Sequence, residues 1–164
     1  MPIQLMHVET RPARTFRRLA AVMALGAWLL IVVAAIVRIT QSGLGCPDWP
    51  LCHGSVVPPP RIDAWTEQAF RLLAAVLGIG GIALLAMAFT SRRQLHRWTL
   101  PLLIPAAVLY ALQVSFGALA VAWQIPPFLA WLHTGIAMAV FGLLLANAVL
   151  AQPAWRAGGA AMVR

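Results

Sequence analysis

The sequence predicts an all-α integral membrane protein, a four-helix transmembrane bundle with an outer disulfide loop. Three observations carry this. The 164-residue chain is 62% hydrophobic and 10% charged, where ordinary globular domains are about a quarter charged. Its long apolar runs have the length of a spanning helix, about 20 residues. Its arginines cluster at the borders of those runs.

The first run, Leu19 to Val37, is 19 uncharged residues between Arg18 and Arg38; it predicts a helix over 19–38. Leu72 to Ser91 adds 20 uncharged residues and predicts a helix over 68–90. Trp98 to Trp155 has no Asp, Glu, Lys or Arg in 58 residues. That is too long for one crossing. Pro126-Pro127 divides it, giving helices over 100–122 and 128–151. The bundle then covers 19–151, with an outer loop at 39–66, a basic N-terminal tail at 1–18 and a C-terminal tail at 152–164.

All 12 basic residues are arginine and, against 4 acids, they give a formal charge of +8. Nine of them, Arg11, Arg14, Arg17, Arg18, Arg92, Arg93, Arg97, Arg156 and Arg164, fall on one side of the four crossings. This is the cytoplasmic signature of a multi-pass plasma-membrane protein, with both termini inside and the 39–66 loop outside. The scatter of short clusters argues against a nucleic-acid partner. A cleaved signal peptide would also start with arginines, but 19 apolar residues is long for a signal core. Three small-residue pairs, Ala74 with Gly78, Ala118 with Ala122 and Gly135 with Ala139, have the spacing that lets membrane helices approach closely.

The outer loop holds SGLGCPDWPLCHG at 42–54, with both cysteines of the chain. Outside the cytoplasm, Cys46 and Cys52 most simply form a disulfide. Pro47 and Pro50 bend the chain between them. The pair reads either as a passive staple or as an exposed redox pair that exchanges with other thiols. Zinc needs about four ligands, and only Cys46, Cys52 and His53 are at hand.

Arg38 to Cys52, RITQSGLGCPDWPLC, resembles the first outer loop of the haem A synthase family of cytochrome oxidase assembly proteins. TEQAFRLLAAVLG, LYALQVSFGALAV and IPPFLAWLHTGIAMAVFGLLL resemble that family's second, third and fourth helices. The resemblance covers most of residues 28–150. It implies oxidation of a methyl group of haem O to the formyl group of haem A. It also implies two four-helix bundles, each holding haem (haem O, haem A or haem b) between two histidines. This chain resembles the N-terminal bundle alone. The implied partners are haem O synthase, other oxidase assembly proteins, membrane lipid, and a second haem-binding bundle or another copy of the chain.

The resemblance assigns roles residue by residue. His133 is the implied iron ligand on the fourth helix. The family's Glu-x-x-His-Arg appears here as Glu67-Gln68-Ala69-Phe70-Arg71, so Phe70 stands where the second ligand belongs. Bare sequence offers His133 another role, a hydrogen bond to a neighbouring helix through Gln113. Arg38 and Arg71 break the one-sided arginine pattern. They read as haem propionate partners, or as a headgroup contact and an ion pair to Glu67. Glu67 reads as a proton acceptor in methyl oxidation or as a cap of its helix. His53 is a substitute ligand candidate; His7 and His96 read as solvated. Two other functions stay open: a non-catalytic haem-binding or partner subunit, and a membrane thiol oxidoreductase.

Overall fold

The computed structural model describes residues 10–123 and 127–153. Four long helices carry the chain: α1 (Arg11–Ile39), α2 (Ile62–Thr90), α3 (Thr99–Trp123) and α4 (Pro127–Leu150). Single 3-10 turns at Ser42–Leu44 and Arg92–Gln94 sit in the two longer connections. Each long helix has the length and hydropathy to cross a membrane. Arg156 and Arg164, counted in the expected topology, lie outside the described residues.

Contacts run from α1 to α2, α2 to α3, α3 to α4 and back from α4 to α1. The helices therefore form a ring in which α2 and α4 stand on a diagonal. The Thr10 hydroxyl bonds Gln94 Oε1 at 2.7 Å, which places the start of α1 beside the α2–α3 connection. This is the arginine end; the cysteine loop closes the other.

Two helices begin earlier than expected. α1 starts eight residues before Leu19 and includes Arg11 to Arg18. Pro12 in its first turn is pre-set for a helix start, and Ala13 and Phe16 are buried on the stripe continued by Ala20, Met23, Ala24 and Ala27. α2 starts at Ile62 rather than at position 68. Pro58, Pro59 and Pro60 precede it, Arg61 is extended, and Arg61 pairs with Asp63 across the first turn. An uncharged-run criterion stops short at both helices because their first turns carry charge.

The main core lies towards the arginine end. It is built from Phe16, Leu84, Ala88, Leu103, Ala106, Leu144 and Ala148, among others, with Asn147 fully buried beside it. A second, small cluster of Cys46, Cys52 and Ala64 lies under the loop. Between them is a thinner layer. No residue of 69–76, 107–121 or 128–139 whose burial is described is fully buried.

Of the three small-residue pairs, Ala74 and Gly78 work as expected. The Tyr110 hydroxyl of α3 donates to Ala74 O, and a Cβ on Gly78 would come within 3.3 Å of the Tyr110 ring. Gly135 and Ala139 are exposed, and a Cβ on Gly135 would meet nothing within 4 Å. That pair packs no helix here. The side chain of Ala122 lies outside the described set.

Candidate functional site

The loop end is where the polar residues gather. Cys46 and Cys52 are disulfide-bonded and fully buried. Burial favours the staple reading over the exposed redox pair. The Cys46 Sγ lies 3.6 Å from Ala64 O, a packing contact, since a disulfide sulfur carries no proton to donate. Asp48 organises the far side of the loop. Its Oδ1 accepts from His53 N at 2.6 Å, and its Oδ2 accepts from Gly54 N at 2.7 Å. Both acceptances fix a turn in which His53 and Gly54 have positive φ. The Gly54 N–H, then that of His53, hold the Asp48 carboxyl below the usual carboxylate range. The His53 ring lies 3.2 Å from Gly45 O through Nε2, so it is engaged within the loop.

Arg71 joins this loop to α2. Its Nε donates to Glu67 Oε1 at 2.9 Å. Its Nη1 donates to Asp48 O at 2.6 Å and Leu51 O at 2.8 Å, and its Nη2 to Cys46 O at 3.3 Å. The ion-pair reading of Arg71 is the one found, and loop carbonyls take its remaining contacts. Glu67 is buried in the second turn of α2, not at the helix cap, which is Arg61. The next residue, Gln68, is also buried, and its Nε2 donates to Val56 O at 3.1 Å.

His133 lies in the second turn of α4. Measured along each helix from its loop-end start, Phe70 is about 12 Å in and His133 about 9 Å in. The earlier start of α2 moves Phe70 from the first turn to the third, still near the His133 level. Phe70 and His133 are both half-buried and belong to the two helices on the diagonal. Gln113 does reach His133, but at its backbone: Nε2 donates to His133 O at 2.7 Å. Gln113 Oε1 is buried with no partner among the described residues. Arg38, at the loop end of α1, is close enough for its charge to act on His133. The structure thus brings His133, Gln113 and Arg38 to one level, and Glu67, Arg71 and the disulfide to another just beside it. A lipid-facing groove of about 420 Å³ between α1 and α4, lined by Trp28, Phe141 and Leu145 among others, contains none of these residues.

Residues 17–159 match the family model described as Cytochrome oxidase assembly protein. The chain belongs to that family. Among its curated relatives is a heme A synthase of Exiguobacterium sp., 34% identical over 131 residues, which are 78% of this chain and 43% of the relative. A heme A synthase of Bacillus pumilus is 33% identical over 85% of this chain and 46% of its own length. A protoheme IX farnesyltransferase of Haloarcula marismortui is 34% identical over 79% of this chain and 27% of its own. The chain spans less than half the length of each of these relatives.

Three residues that hold the loop, two in it and one on α2, escaped the sequence reading. Gly45 fits against α2 so closely that a Cβ would stand 2.6 Å from Asp63 backbone atoms. Asp48 and Gln68 serve the loop through backbone partners. Only Asp48 left a trace in sequence, as an acid a few residues before a His-Gly turn.

Proposed function

We propose that this chain is a haem-holding bundle of haem A formation, which binds haem O at the loop end and takes part in oxidising its methyl group to the formyl group of haem A. The observation that carries it is the His133 level: an imidazole and a buried Gln113 oxygen with no partner among the described residues, in a layer between the two clusters. Two relatives named heme A synthase support the substrate. A farnesyltransferase match supports haem O synthase as a functional neighbour.

Of the residues present, one would hold the iron of the group. His133 would be the ligand from this chain, since Phe70 on the diagonal helix has no donor atom. Arg38, whose charge reaches His133, would be a propionate partner from this chain. Bound haem would supply the redox chemistry; turning the methyl into a formyl group would take one oxygen atom from water and release four protons and four electrons, the electrons passing to an acceptor outside the chain. The bundle orients the ring, and Glu67, buried one turn from Phe70, is placed to take a proton from the reacting edge.

Phe70 favours a second reading. A bundle with one ligand works as a partner subunit, next to another copy or a second bundle that completes the length of the relatives. In either reading the protein lies in the plasma membrane with its termini in the cytoplasm and the cysteine loop outside.

The test is the visible spectrum of the full chain purified after co-expression with a haem O synthase, followed by pigment extraction. Haem A in the extract supports the enzyme; bound haem O or haem b without haem A supports the partner subunit. A colourless protein overturns both.

A further inference from the structure

The seven residues from Cys46 to Cys52 form a ring closed by the disulfide, and three carbonyls of that ring, those of Cys46, Asp48 and Leu51, converge on one guanidinium. The fourth contact of that guanidinium is Glu67. The side chains of Arg71 and Glu67 are 8% and 9% exposed. A buried arginine with unmet donors costs several kcal/mol in general, so the carbonyls are a condition of its position.

We propose that Arg71 is a positioning residue that fixes the Glu67 carboxylate from the disulfide ring, so that the closed ring, which does not itself touch Glu67 through a recorded bond, sets where that carboxylate lies. Closing the ring holds its ends 4.7 Å apart between Cα atoms. That distance keeps the carbonyls of Cys46 and Leu51, at opposite ends of the ring, within reach of one fork. An open ring frees its ends to separate. The fork then loses acceptors, and Glu67, bonded to its Nε, moves with it. Lysine could keep the charge opposite Glu67 but has no planar fork to span three carbonyls. The role of Glu67 as proton acceptor rests on the reading above; the positional link does not.

The chain has two glutamates, Glu9 and Glu67, so carboxyl-labelled glutamate gives an infrared carboxylate band that Glu67→Gln identifies. The measurement uses the full chain in lipid nanodiscs, with helicity checked by circular dichroism. Cys46→Ser with Cys52→Ser is expected to shift the Glu67 band. Arg71→Lys is expected to shift it as well, and the triple variant to add nothing to Arg71→Lys. A band that stays in place in the double cysteine variant overturns the proposal, whether or not amide exchange rises in residues 46–52. So does a cysteine effect of undiminished size in the Arg71→Lys background, since the link would then bypass Arg71. Haem content is read separately. A chain that shows the link but takes up no haem sinks the proposed function alone; one that binds haem through His133 without the link sinks this inference alone.

Discussion

A Cβ on Gly45 would stand 2.6 Å from the Asp63 carbonyl oxygen, so the cysteine loop lies directly on the first turn of α2. Backbone cannot yield as a flexible side chain can. Gly45→Ala should therefore lift the loop from α2 and cost about 1–3 kcal/mol, the range for overpacking. The check is the melting temperature in detergent together with amide exchange in residues 45–56. Unchanged values for both would mean that the loop does not rest on α2 in this way.

Asp48 makes the loop sensitive to acid. Its carboxyl is held below the ordinary range by the Gly54 N–H first, then that of His53. A carboxylate depressed on folding adds stability above its unfolded value, about 3.9 for Asp, and loses it as pH falls through the folded value. Protection of the His53 and Gly54 amides, taken against the intrinsic exchange rate at each pH, should be flat from neutral pH down to about pH 5 and fall below pH 4 or so. Asp48→Asn keeps one acceptor of two, so it should raise exchange at Gly54 or His53 already at neutral pH. An acid profile in the variant identical to wild type would assign the effect to another group.

How much of this was legible in the sequence depends on which force fixes each part. The four helices follow from hydropathy and the Pro126-Pro127 break, which need no partner to act. The early starts of α1 and α2 did not, because Arg18 and Arg71 end the uncharged runs although the helices continue past them. The disulfide was legible from spacing and compartment. The Arg71 cradle was not, since its acceptors are backbone carbonyls 20 to 25 residues away and carbonyls leave no mark in composition. Gly135 with Ala139 had the right spacing for packing but faces away from any neighbour, which spacing alone does not tell.

The arginine distribution assigns the described ends to opposite sides of a membrane. The α2–α3 connection carries Arg92, Arg93 and Arg97, and the start of α1 lies beside it through Thr10 and Gln94. A phosphatase that is active only outside the cytoplasm should be active when inserted after Pro58 and silent when fused after Arg164. The reverse pattern would invert the topology and place the disulfide in a reducing compartment, where it would not persist.

His133 and Phe70 give the most exposed prediction. With His133 as the ligand from this chain, bound ferrous haem should be five-coordinate and high-spin, and should take up carbon monoxide at the open position. His133→Ala should lower haem affinity by about 100-fold or more, because losing only a hydrogen-bond partner of a ligand costs 10–100-fold. Phe70→His places a second imidazole on the diagonal helix at nearly the same depth, about 12 Å against about 9 Å from the loop-end starts. It should convert the spectrum to a low-spin, six-coordinate form and suppress carbon monoxide binding. The two changes probe different things: the first asks whether His133 holds the iron, the second whether α2 and α4 face each other across it. A Phe70→His protein that stays high-spin while His133→Ala loses its haem would keep His133 as ligand and move the ring off the α2–α4 diagonal, towards α3 and the Gln113 oxygen. Full retention of haem in His133→Ala would remove the site from this level of the bundle.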